Sequence, residues 1–286
     1  MKQGVAEVNE IEIDGKTRDL MRNRVDRCGL AVKFAAMQQT IANGMPPPLS
    51  VLSAAGPIAL FLDFDGTLID IAPTPDAIKV PLGLAKGLEA LSLRHSGRVA
   101  LVSGRSTKSI VSHLGLATVA LAGSHGIERL RADGQRIGEQ PERLPDEVEQ
   151  AVRAFTDRHD GLEFERKSHG TAVHYRAAPE LGAAAIAFGE ELAEAYGLQV
   201  KLGKCVVELV HRGADKAGAV HAFMAEEAFS GATPIFIGDD LTDEDGFRAA
   251  NELGGFGVLV GERPDTLARY RLSSPAKVRE WLELQT

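Results

Sequence analysis

Three short apolar runs constrain this chain most. Ile58-Ala59-Leu60-Phe61-Leu62 stops at Asp63, Val99-Ala100-Leu101-Val102 runs into Ser103, and Pro234-Ile235-Phe236-Ile237 runs into Gly238-Asp239-Asp240. Unbroken apolarity over so few residues fits a parallel strand covered on both faces, where neither face needs polar side chains. Helical patterns, Leu82 to Arg94 and Lys216 to Phe229, lie between the runs. Such alternation predicts an α/β fold with an open, mostly parallel, Rossmann-like sheet. Ligands bind such sheets beyond the carboxyl ends of the strands. One run ending in a polar residue is an ordinary strand-to-loop transition, but three ending in Asp, Ser and Asp-Asp predict a shared polar site.

The middle of the chain reads differently. Leu162 and Phe164 alternate with Glu163, Glu165 and Lys167, and Val173 and Tyr175 alternate with His174 and Arg176, around a turn at Gly170. Period-two alternation predicts half-exposed antiparallel strands. Helical stretches at Asp146 to His159 and Glu180 to Tyr196 can back them. The expected organisation is therefore a core of residues 57–126 and 211–286 with a smaller α/β cap inserted at 127–210. Residues 1–56 read as an N-terminal helical extension and linker, with loose helical spacing at Leu20, Met21, Val25, Val32 and Ala36 before Pro46, Pro47 and Pro48.

Composition narrows the function. With 32 basic and 40 acidic residues the net charge is −8, which disfavours nucleic acid or an anionic membrane as the main partner. Cys28 and Cys205 are the two cysteines, without C-x-x-C or His/Cys ligand spacing. That pattern supports neither a zinc site nor a disulfide scaffold and fits a reducing cytoplasm. The first twenty residues lack an apolar signal core, and the longest apolar stretch, Leu49 to Leu62, is too short to span a bilayer and contains Pro57.

Asp63-Phe64-Asp65-Gly66-Thr67 puts two carboxylates two residues apart at a strand end, where Gly66 permits a sharp turn. Asp63 is the candidate nucleophile and Asp65 the candidate proton carrier. A carboxylate attacking a dianionic phosphoryl group needs a cation and donors around the phosphate oxygens. The candidates are Mg²⁺ held among Asp63, Asp65, Asp239 and Asp240 with a backbone carbonyl, the Ser103 hydroxyl, and the Lys216 ammonium. Asp240 and Asp243 also suit the task of orienting the metal ligands, whereas Asp243 and Asp245 suit the start of a helix.

In order, Asp63-Phe64-Asp65-Gly66-Thr67, Ser103-Gly104-Arg105, Lys216 and Gly238-Asp239-Asp240-Leu241-Thr242-Asp243 resemble the four motifs of the haloacid-dehalogenase-like phosphatase superfamily, over roughly Pro57 to Leu284. The resemblance implies an aspartyl-phosphate on Asp63, with Asp65 protonating the leaving alcohol and then deprotonating the water. Gly123-Ser124-His125-Gly126-Ile127-Glu128, Glu165-Arg166-Lys167 and Gly203-Lys204-Cys205-Val206-Val207-Glu208 are similar to the trehalose-6-phosphate phosphatase family within it, departing in detail at Ser124 and Ile127. That likeness implies that Glu165, Lys167 and Glu208 hold a distal glucose while Gly66, Thr67, Arg105 and His125 line the rest of the substrate site. It also implies a phosphosugar substrate and a functional link to a trehalose-6-phosphate synthase. From the residues alone, Glu165 and Lys167 could form a solvated salt bridge, His125 could be a structural loop histidine, and His174 and Arg176 could stabilise the cap face. Other readings are a phosphatase for sucrose phosphate or mannosyl-3-phosphoglycerate, or a non-catalytic sugar-phosphate sensor.

Overall fold

In the computed structural model, which describes residues 44–284 apart from 73, 75–76, 116–117, 140–141 and 204, two sheets carry the fold. The expected N-terminal helix up to residue 43 lies outside the described residues. Strand β1 (Ile58–Leu62) is buried along its length and lies between β2 (Val99–Val102) and β9 (Thr233–Gly238), parallel to both. With β3 (Ala120–Gly123), β4 (Glu128–Leu130), β10 (Phe256–Val260) and β11 (Tyr270–Leu272), these form a seven-stranded sheet of order β11-β10-β9-β1-β2-β3-β4. Every pair is parallel except β3 with β4.

The apolar runs are explained by burial on both faces. Successive strand side chains point oppositely, so Ile58, Leu60 and Leu62 pack with α1 (Leu49–Ala55), α2 (Leu84–Arg94), α3 (Thr107–Leu114) and α8 (Pro275–Trp281). Ala59 and Phe61 face α6 (Lys216–Met224) and α7 (Asp243–Glu252), beside Phe223, Phe236 and Phe247. Among the described residues no helix is long and apolar enough to cross a membrane.

The smaller sheet is antiparallel, of order β5 (Glu163–Arg166), β6 (Gly170–His174), β8 (Val206–His211), β7 (Leu198–Gly203). Helices α4 (Asp146–Thr156) and α5 (Gly182–Tyr196) cover one face of it through Val148, Val152, Phe155 and Ala185. Gly189 permits the close approach of α5, since a Cβ there would stand 2.7 Å from a Val207 methyl.

Two boundaries differ from the sequence reading. Glu128–Leu130, expected in the insertion, joins the larger sheet as β4; a three-residue strand carries too little pattern to be seen. Residues 46–55, expected in a linker, pack on the larger sheet instead. Pro46 and Leu49 are buried, and Trp281 Nε1 donates to the Pro47 carbonyl at 2.9 Å. Trp281→Ala should therefore cost about 3–5 kcal/mol in a urea titration, as expected for a buried aromatic. A loss under about 1 kcal/mol, no more than one hydrogen bond, would contradict this packing.

Candidate active site

Strand register sets the site. Leu62 pairs with both Leu101 and Ile237, so Asp63, Ser103 and Asp239 leave the sheet along one edge. Two glycines let the backbones come close. Gly66, at φ 78°, leaves room where a Cβ would fall 2.2 Å from Asp239 Oδ2, and a Cβ on Gly238 would fall 2.2 Å from Asp243 Cγ. The Gly66 N–H is already paired with the Ile69 carbonyl at 2.8 Å, so in this structure Gly66 contributes space to the site.

Lys216 opens α6, whose N-cap Asp215 accepts from the Gly218 amide. Its ammonium, 3% exposed, donates to Asp63 Oδ1 at 2.9 Å and to Asp243 Oδ1 at 2.6 Å. The other Asp243 oxygen accepts from the amides of Asp239 and Asp240, each at 2.9 Å. Burial, with Asp63 and Asp240 beside it, pushes the Asp243 pKa well above its ordinary value, against the pull of Lys216. Burial alone would lower the Lys216 pKa, but Asp243 and Asp63 carry it well above its ordinary value.

One oxygen from each of Asp63, Asp239 and Asp243 lies within 4.8 Å of the others. Burial pushes the Asp63 carboxyl up to about 7, against the pull of Lys216 and with a further push from Asp239 and Asp240. Burial, then Asp243 and Asp240, push Asp239 to about 7 as well. Crowded carboxylates so reluctant to ionise, all hard oxygen donors, fit a divalent cation that would relieve the repulsion.

The side chains of Asp65 and Asp240, expected among the metal ligands, are engaged elsewhere. Arg105 grips Asp65 with Nε at 2.6 Å and Nη2 at 2.8 Å, the two-pronged pairing for which a guanidinium is suited. Asp240 Oδ1 accepts from the Thr242 amide at 2.8 Å and hydroxyl at 2.7 Å, a local turn leading into α7. Ser103 Oγ accepts from the Arg105 amide at 3.2 Å, and the Thr67 hydroxyl donates to Asp239 at 3.3 Å.

A second polar group lies on the smaller sheet. Ala172 pairs with Glu165 on one side and Glu208 on the other, and Glu208 pairs with Lys201, so these residues form one row on one face. This face meets the larger sheet: Glu208 Oε2 stands 3.0 Å from His125 Nε2, and Lys201 donates to Asp245 at 3.2 Å. The alternative reading of Glu165 and Lys167 as a salt bridge with each other does not hold, since each has another partner. Strand β5 ends at Arg166, Lys167 reaches Glu208 at 2.5 Å, and Glu165 pairs with His174 at 2.7 Å. Burial would raise the Glu208 pKa, but Lys167 and His125 outweigh it and bring it to about 2. The His125 ring lies over Gly104, where a Cβ would be 2.8 Å from Cε1. Sequence reasoning gave no role to Lys201, and none to Glu128, although the latter sits in the quoted Gly123–Glu128 stretch.

The trehalose-phosphatase family model matches residues 61–276. A trehalose-6-phosphate phosphatase of Escherichia coli (strain K12) is 38% identical over 230 residues, covering 80% of this chain and 86% of that protein. A probable trehalose-phosphate phosphatase of Sinorhizobium fredii (strain NBRC 101917 / NGR234) is 39% identical over 209 residues, 71% of this chain and 77% of that protein. Among solved structures, the C-terminal domain of a C. albicans trehalose-6-phosphate phosphatase superposes with a TM-score of 0.72 at 25% identity, covering 84% of this chain and 96% of that one.

The Glu208 cluster gives a pH prediction. A carboxylate lowered from 4.5 to about 2 stabilises the fold fully above its unfolded value and loses that contribution as pH falls through this window. The stability gap between wild type and Glu208→Gln should therefore shrink by on the order of 3 kcal/mol from neutral pH down to the foot of this window. A gap that does not change with pH would contradict the pairing.

Proposed function

The chain belongs to the trehalose-phosphatase family, and from that premise we propose that it hydrolyses trehalose 6-phosphate to trehalose and inorganic phosphate through an aspartyl-phosphate on Asp63, with Mg²⁺ as cofactor. The observation that carries this reading is the buried Asp63–Lys216–Asp243 array beside Asp239, with the Glu208 row of the smaller sheet facing the same strand ends. A sensor would need to bind phosphate but would have no use for a nucleophilic carboxylate held by a buried ammonium.

In the first step an Asp63 oxygen attacks phosphorus, and the bond from phosphorus to the sugar oxygen breaks as Asp65 delivers a proton to that oxygen. In the second, Asp65 takes a proton from water as the water attacks the phosphorus, and phosphate leaves with Asp63 regenerated. Asp65 is held by Arg105 here, so this reading requires that pair to open when substrate enters. Lys216 keeps Asp63 aimed and favours its ionised form, and the Ser103 hydroxyl and Arg105 suit the transferring phosphoryl oxygens. Mg²⁺ held by Asp63 and Asp239, in an all-oxygen site that Asp240 and Asp243 orient, would supply positive charge against the phosphoryl group. Glu165, Lys167, Glu208 and His125 are suited to the distal sugar, which a cap must read because every phosphosugar offers the same phosphate. The reading also carries a functional link to a trehalose-6-phosphate synthase, in the cytoplasm.

Phosphate release should occur with trehalose 6-phosphate, stop with EDTA and return with Mg²⁺. Full activity without metal, or a preference for sucrose phosphate or mannosyl-3-phosphoglycerate, would contradict the reading. Asp63→Asn should abolish turnover, and Asp65→Asn should slow it by about 10²–10⁴-fold. If Asp63→Asn kept a substantial part of the wild-type rate, covalent catalysis would be excluded.

A further inference from the structure

Resting on the reading above that His125 and Glu208 contact the distal sugar, we propose that Glu128 is a positioning residue for sugar recognition, acting through Ser124 to hold His125 against Glu208. Glu128 is 7% exposed, and its hydrogen bonds come from uncharged donors. Oε2 accepts from the Thr107 amide at 3.2 Å and hydroxyl at 2.5 Å, and Oε1 accepts from the Ser124 hydroxyl at 2.6 Å. The His169 ring nitrogen Nε2 stands 3.6 Å from Oε1. A buried carboxylate is costly without donors around it, and anchoring α3 would engage only Oε2.

The other oxygen has a separate task. Ser124 and His125 have φ of 49° and 58°, two consecutive left-handed residues that each carry a Cβ, a conformation that persists only where its surroundings enforce it. The Ser124 amide donates to the Arg105 carbonyl at 2.7 Å and the His125 amide to the Ser103 carbonyl at 3.0 Å. Arg129 Nε donates to the Gly126 carbonyl at 2.6 Å. Glu128 supplies the side-chain hold on Ser124 among the described residues and joins it to Thr107, the first residue of α3. One carboxylate thereby ties the loop that follows Ser103 to the loop that presents His125, and sets where the imidazole meets Glu208.

The test compares kcat/KM on trehalose 6-phosphate with that on p-nitrophenyl phosphate, which has no distal sugar. Glu128→Ala should lower the ratio of the two by about tenfold or more, the weight of a charged hydrogen bond, chiefly through KM for the sugar. Glu128→Gln should restore most of it, because its carbonyl can accept from Thr107 while its amide donates to Ser124 Oγ. In a His125→Ala background Glu128→Ala should leave the ratio unchanged, since the residue it acts through is gone. If Glu128→Ala does not fold, Ser124→Ala, which keeps the Thr107 anchor, should lower the ratio in the same direction. Equal losses on both esters, or losses that add in the double mutant, would overturn the proposal. A wild type active on another phosphosugar but not on trehalose 6-phosphate would overturn the substrate reading alone, and the same comparison on that sugar would then decide the role of Glu128.

Discussion

One buried ammonium holds the strand ends together. Lys216 reaches from the first turn of α6 to Asp63 after β1 and Asp243 at the start of α7, joining three elements that lie far apart in the chain. It draws both carboxylates toward their ionised forms against so dry a surrounding, and removing one partner of a buried pair generally costs about 3–5 kcal/mol. The same contact aligns Asp63 and, through Asp243, the amides of Asp239 and Asp240. Stability and chemistry therefore draw on one arrangement of charges, and Gly66 and Gly238 are glycines because the carboxylates need the volume a Cβ would take.

The larger sheet was legible because burial on both faces removes polar residues from its strands. Ile58, Leu60 and Leu62 enter one core while Ala59 and Phe61 enter the other, which leaves an unbroken apolar run like those at Val99–Val102 and residues 235–237. Strand β4 has no such mark, since Arg129 and Leu130 are half-buried and the strand has only three residues. Helix α1 follows three prolines and reads as a linker until Trp281 is seen to bond Pro47.

The site divides in the same way. Asp63, Ser103 and Asp239 could be placed together because they end neighbouring strands, where sheet register alone brings them to one edge. Pairings chosen by side chains across the fold were not legible. Arg105 taking Asp65, and Lys167 taking Glu208 in place of Glu165, depend on where β6 inserts between β5 and β8 and on rotamers that spacing does not encode. Glu128 shares both cases: Ser124 lies four residues before it, but Thr107 lies on another element, and nothing local to Glu128 names it.

The central claim is that Asp63 becomes covalently phosphorylated, and the most direct measurement is a single-turnover acid quench with trehalose 6-phosphate in the presence of Mg²⁺. The account predicts a transient phosphoenzyme whose added mass lies on the peptide carrying Asp63, with trehalose appearing before inorganic phosphate. Trehalose and phosphate appearing together, with no labelled peptide at any quench time, would contradict it.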